Sequence, residues 1–167
     1  MKKLVILPYK RKRNGRTDYH KRLALLKSGK ERLVVRKALN NILLQVIQYN
    51  PDGDRIIITI HSNSLKKYGW DYHKGNLAAA YLTGLLCGKL SKEKGVNEAI
   101  LDLGLSKSLK NSVQYAAVMG AREGGLKIPC SEEVLPNESK LCSSENLKKK
   151  FEEIKAMISG GKHNGRK

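Results

Sequence analysis

Acidic residues are scarce in this chain: 15 Asp and Glu stand against 33 Lys and Arg, a formal net charge of +18. An excess of that size speaks to partners rather than to fold, and it suits a polyanion: RNA, DNA or an anionic membrane. Cysteine is scarce too. Cys87, Cys130 and Cys142 are odd in number and form no CxxC pair. They encode no disulfide framework, and a reducing compartment is expected. Long apolar runs are absent, and nothing approaches the roughly 20 residues that a bilayer-spanning helix needs. Met1-Lys-Lys-Leu-Val-Ile-Leu7 opens like a signal peptide, but its apolar run is only four residues long and stops at Pro8. That is too short for the hydrophobic region of a leader. The chain reads as soluble and cytoplasmic. Aromatic residues make up only 5% of it, so its core must be built from Leu, Ile, Val and Ala.

The positive charge is concentrated at one end. Residues 1–37 hold fourteen Lys and Arg against Asp18 and Glu31, which is +12 of the total +18. The stretch Tyr9–Arg22, YKRKRNGRTDYHKR, crowds Lys10, Arg11, Lys12, Arg13, Arg16, Lys21 and Arg22 beside Tyr9, Tyr19 and His20. Residues 1–16 lack periodicity and carry Pro8, Asn14 and Gly15, which predicts an extended arm, disordered without a partner. Thr17 then reads as the cap of a helix, with Asp18 at its positive end and spaced to pair with Arg22. Tyr19, Leu23 and Leu26 fall on one stripe that would fasten this helix to the core, and Gly29 can end it. Tyr19 serves equally well for core packing or for stacking on RNA.

Glu31–Lys37 predicts a strand with Leu33 and Val35 inward and a basic outer face. Ile42–Tyr49 follows as a second strand. Asn50-Pro51-Asp52-Gly53-Asp54 is turn chemistry, and Arg55–His61 makes a third strand whose isoleucines suggest burial on both faces. Residues 62–75 read as an irregular link. Asn76 caps a long helix to about Lys94, in which Ala78, Ala79, Ala80, Gly84 and Gly88 would admit a sheet at close range. Residues 98–103 form a fourth strand, and Asn111 with Gln114 resembles a cap for a helix to about Glu123. Leu126–Ile128 suggests an edge strand. Ser144 caps a last helix with a stripe of Leu147, Phe151, Ile154 and Ile158, before a flexible basic tail. A meander followed by α-β-α units is an α/β sandwich with a mixed sheet. Residues 1–16 would be its arm, 17–129 the α/β domain and 130–167 a C-terminal extension.

Several motifs in order resemble one family: RKRNGRTDYHKRLALLKSG, ERLVVRKA, IITIHSNSL, GWDYHKGNLAAAYLTGLLCGKL, EAILDLGL and YAAVMGAREGGLKIPCSEEVLP. Together with the last helix they cover roughly residues 9–158. The chain is thereby similar to the ribosomal large-subunit protein eighteen family in its archaeal form, whose eukaryotic counterpart is numbered five. The Gly15–Tyr19 and Gly75-Asn76 motifs are the most specific. Two places depart from the pattern: Lys37-Ala-Leu-Asn-Asn41, where relatives more often carry Ser-Asn-Lys, and Cys130, where a His is expected. The resemblance implies a ribonuclease H-like sandwich that binds 5S rRNA. It implies attachment of that RNA to the central protuberance of the large subunit, alongside the other 5S rRNA-binding protein. Large-subunit rRNA and neighbouring ribosomal proteins become the further partners, with no membrane, catalytic residue, metal or cofactor.

The candidate RNA-binding residues of the opening are Tyr9, Lys10, Arg11, Lys12, Arg13, Arg16, Thr17, Tyr19, His20 and Arg22. The first strand adds Arg32, Arg36 and Lys37. Cations of this kind displace counterions condensed on phosphates, and arginine adds bidentate contacts. A charge run is commonly just a solvated face, but here it continues from the arm into a strand. Lys66, Lys67, Tyr68 and Trp70 interleave cations with aromatics as an RNA-contacting loop would. Trp70 serves equally well as the lid of a small core. The competing reading is a metal-dependent nuclease, because ribonuclease H-like folds host that chemistry. Two-metal catalysis needs several clustered carboxylates. Glu31 lies at a strand edge, Glu93 near a helix end, and only Asp102 sits suitably, where it reads as a structural acceptor. The histidines are scattered, with no zinc-site spacing.

Overall fold

Three consecutive runs rich in Val, Ile and Leu, residues that suit a pleated, buried surface, dictate the sheet. In the computed structural model, which describes residues 7–142 and 144–160, Glu31–Lys37 (β1), Ile42–Gln48 (β2) and Arg55–His61 (β3) form an antiparallel meander. The Ala38 N–H donates to the Asn41 carbonyl and that of Gly53 to Asn50, closing the two turns. Ala99–Asp102 (β4) then returns parallel to β1, giving a mixed sheet in the order β3-β2-β1-β4. Leu33, Val35, Ile42, Leu44, Val46, Ile58 and Ile60 are buried in the core.

That core lies under Leu77–Glu93 (α3), whose first turn is capped by the Asn76 side chain accepting from the Ala79 N–H at 2.8 Å. This helix is buried nearly all round, with the sheet on one side and Val113–Glu123 (α4) against it. The glycines expected to admit the sheet admit α4 instead. A Cβ on Gly84 would stand 2.0 Å from the Ala117 carbonyl oxygen, and one on Gly120 would stand 2.0 Å from that of Tyr81. Both obstacles are backbone, so neither can swing away. Gly84→Ala must push the two helices apart and is expected to cost about 2–3 kcal/mol, measured by urea denaturation; an unchanged midpoint would contradict this packing.

After a short helix at Glu138–Leu141 (α5), Ser144 caps Glu145–Ser159 (α6), and Leu147, Phe151, Ile154 and Ile158 pack it into the same core. Phe151 meets the Tyr81 ring at 5.2 Å, and the Tyr81 hydroxyl donates to Glu123, which also pairs with Lys155 at 2.8 Å. The Lys89 ammonium donates to the carbonyls of Ile158 and Ser159, both at 2.6 Å. A cation there answers the negative end of the helix and its unpaired carbonyls.

Several expectations are corrected. The link after β3 is not irregular throughout, since Ser62–Tyr68 winds as a 3₁₀ helix stopped by Gly69 at φ +81°. Ile56 is half exposed, because β3 is an edge strand and a register shift at Val46/Ile47 turns it away from the core. Residues 126–128 make a single bridge, Lys127 to Glu98, rather than a strand. Asn111 does not cap α4. It takes a left-handed conformation, φ +56°, and donates its N–H to Val134 while Ser112 holds the cap position. The first six residues and the expected basic tail from residue 161 lie outside the described residues.

Candidate nucleic-acid interface

The sheet face turned away from α3 carries charge. Arg32, Val34 and Ile47 stand on it, with Asp102 beside them on β4. Above it lies the helix Tyr19–Leu26 (α2), and between them is a cleft of about 920 Å³ with Arg11, Arg16, Arg36 and Lys37 in its walls.

Helix α2 is capped by Asp18, not Thr17: the Asp18 carboxylate accepts from the N–H groups of His20 and Lys21 at 3.0 and 3.1 Å. Thr17 instead accepts from the Arg11 Nε at 2.9 Å. The stripe of Tyr19, Leu23 and Leu26 does not fasten this helix. No residue of α2 is fully buried, and Leu23 is 57% exposed. Charge holds it instead. One Arg22 guanidinium nitrogen, Nη2, donates to both carboxylate oxygens of Asp54 at 2.9 Å, and Arg22 does not pair with Asp18. The Lys21 ammonium donates to the Gly104 carbonyl at 3.0 Å.

Beneath Arg22 sits Arg32, 3% exposed, which donates to Asp54 at 2.6 Å and to Asp102 at 2.8 Å. Asp102 also accepts from the Gly104 N–H at 2.9 Å. The strand therefore lacks the uniformly basic outer face expected of it: Arg32 is enclosed and answered by two carboxylates, while Arg36 and Lys37 are exposed. Burying a guanidinium demands such partners, since an unpaired buried charge costs several kcal/mol. Its Nε alone has no acceptor. Asp54 and Asp102 are the residues that sequence reasoning undervalued as parts of the site.

The arm is not extended where it is described. Lys10–Arg13 winds one helical turn (α1), the Tyr9 carbonyl accepting from the N–H groups of Lys12 and Arg13. The Tyr9 ring lies 5.3 Å from that of Tyr19 and folds the arm back on α2. Lys10, Arg11, Lys12, Arg13, Arg16 and His20 are exposed. Among the described residues, Lys10, Lys12, Arg13, Arg16, Arg36 and Lys37 form no ion pair.

The second candidate loop divides. Trp70 is fully buried in the core and donates through its indole N–H to the His73 carbonyl, so it is a core residue and presents no surface. Lys66 and Lys67 are exposed. Tyr68 packs partly against the core, and burial first, then the charge of Glu93, raises its pKa. Lys66 stands beside Lys74, whose pKa desolvation and then the Lys66 charge lower.

Of the acids weighed for metal chemistry, Asp102 is committed to Arg32 and Gly104. Among the described residues, no three His, Cys, Asp or Glu groups come together to hold a metal ion. None of the described helices is long and apolar enough to cross a membrane.

A mixed α/β fold with exposed cations lining a cleft on one face of its sheet defines a basic α/β protein. The chain belongs to the family of ribosomal large subunit proteins 60S L5, and 50S L18, whose pattern matches residues 5–97. It is a ribosomal protein, part of a ribonucleoprotein that works in translation. The matched segment takes in residues 5–16 of the arm, α2, β1–β3 and α3, and so all of the cleft wall except residues 102–106.

Proposed function

We propose that this protein binds 5S rRNA and, with the other 5S rRNA-binding protein, attaches it to the large subunit at the central protuberance. The observation that carries the reading is the set of exposed cations from Lys10 to Arg16, none in an ion pair among the described residues, that leads into a cleft walled by Arg36 and Lys37. Phosphates repeat along an RNA backbone, so such a row is matched by a chain of anions rather than by one small ligand. Arg11, Arg16, Arg36 and Lys37 contact phosphates. Tyr19 lines the cleft with the Tyr9 ring packed against it, and this pair is where an unpaired base stacks. Arg32 and Trp70 support the interface from within instead of touching RNA. Lys66 and Lys67 face large-subunit rRNA or neighbouring ribosomal proteins as a second contact.

The role is structural and non-catalytic, exercised in the cytoplasm within the large subunit. The strand order, with β4 parallel to β1, supports a ribonuclease H-like sandwich adapted to this purpose. In this reading residues 1–16 act as the arm, 17–129 as the RNA-binding domain, and 130–167 as an extension that braces α3. Filter binding tests the proposal. Labelled 5S rRNA should be retained at nanomolar protein and should survive a hundredfold excess of transfer RNA, whereas equal competition by both RNAs would reduce the protein to a non-specific polycation. Crosslinking with nucleotide identification then locates the contact.

A further inference from the structure

Helix α2 presents a problem of attachment. It brings Lys21 and Arg22 to the cleft wall, yet buries no side chain completely, and Leu23 is exposed. Apolar packing is therefore a weak fastening, and the helix is joined to the sheet through polar contacts with residues far along the chain. The strongest of these is the ion pair of Arg22 with Asp54, in which Nη2 lies 2.9 Å from each carboxylate oxygen. Asp54 is itself steadied by the enclosed Arg32 at 2.6 Å. Arg32 in turn is anchored to Asp102 on β4.

We propose that Asp54 is the positioning residue of the RNA interface, an acid whose task is to hold a basic helix in the pose that polyanion binding requires. This rests on the reading that the chain binds 5S rRNA. Its carboxylate makes no RNA contact and would repel phosphate. Its value lies in fixing the pose of Arg22 and of the whole helix before RNA arrives, so that binding does not have to recruit a minor, docked population. The acid stands one layer behind the cations. Asp52, two residues earlier in the same turn, is exposed and makes no ion pair among the described residues.

That neighbour makes the test decisive, because the two mechanisms predict effects of opposite sign. Asp54→Asn and Asp52→Asn both raise the formal net charge from +18 to +19. Long-range attraction alone would make both variants bind RNA more tightly. Positioning predicts that Asp52→Asn binds at least as tightly as the wild type, while Asp54→Asn binds on the order of tenfold more weakly, as when about a tenth of the molecules hold the competent pose. The salt slope of Asp54→Asn should match that of the wild type, since the phosphates contacted in the complex are the same. Hydrogen exchange on the full chain without RNA reads the docking itself. Amides of α2 should exchange faster in Asp54→Asn and not in Asp52→Asn, with those of α3 unchanged in both as the control for folding.

Asp54→Asn binding as tightly as Asp52→Asn would overturn the proposal, and tighter binding would make Asp54 a mask over Arg22 instead. Unaltered exchange in α2 would overturn it as well. A wild-type chain that fails to retain 5S rRNA defeats the underlying reading, while the exchange comparison still decides whether Asp54 docks the helix.

Discussion

Between 50 and 200 mM monovalent salt, affinity for 5S rRNA is expected to fall on the order of 10³-fold if about six phosphates are contacted. The cause is the release of counterions condensed on the RNA, which is driven less strongly as bulk salt rises. Removing residues 1–16 takes away Lys2, Lys3, Lys10, Arg11, Lys12, Arg13 and Arg16. At fixed salt this truncation should lower affinity by orders of magnitude. It should also flatten the slope of log K against log salt by about 0.7–0.9 for each phosphate that the arm had neutralised. The fold should survive, because residues 7–16 are exposed and are tied to the rest by the Arg11–Thr17 hydrogen bond and the Tyr9–Tyr19 contact. A truncated chain with undiminished affinity and an unaltered slope would remove the arm from the interface. One with undiminished affinity and a flatter slope would mean that charge was replaced by other interactions.

The parts of this fold governed by neighbours in sequence were legible, and those governed by distant charges were not. Ser144 capping α6, and the burial of Leu147, Phe151, Ile154 and Ile158 beneath it, follow from spacing alone. So do Asn76 at the start of α3 and the bounds of β1 and β3. Helix α2 misled because the same reasoning, applied to Tyr19, Leu23 and Leu26, assumes that an apolar stripe finds an apolar surface. Its actual fastening joins Arg22 to a residue 32 positions later, and periodicity has no access to such a pair. The glycines of α3 do allow close approach, as their lack of a side chain predicts. Their partner is α4 and not the sheet, and nothing in Gly84 or Gly88 says which of the two will fill the space they leave.

Arg32 could have been found. A cation placed between Glu31 and the run Leu33-Val34-Val35, in a strand with both neighbours paired, has little choice but to be covered. A covered arginine requires carboxylates within reach. In a chain with so few acids, one at the β2–β3 turn and one on β4 are the natural candidates. The candidate site was thus legible as a charge distribution and illegible as an arrangement. Sequence shows which cations gather near the amino terminus, but not that one of them is spent inside the protein to organise the others.

Arg32→Leu is accordingly expected to destabilise the fold by about 3–5 kcal/mol, the range found when one partner of a buried ion pair is removed. Against a total of roughly 5–15 kcal/mol for an ordinary domain, that loss approaches unfolding. The cost does not come from lost packing, since leucine fills much of the space that the arginine stem occupied. It comes from leaving Asp54 and Asp102, whose side chains are 23% and 13% exposed, without the cation between them. The double variant Arg32→Leu with Asp102→Leu discriminates between these causes. It removes the stranded carboxylate along with the arginine, and Asp54 retains Arg22, so at least half of the lost stability should return in urea denaturation. If the double variant is less stable than Arg32→Leu alone, the Gly104 hydrogen bond of Asp102 matters more than its charge. If Arg32→Leu is as stable as the wild type, the enclosed pairs of Arg32 with Asp54 and Asp102 contribute nothing net to the stability of the fold.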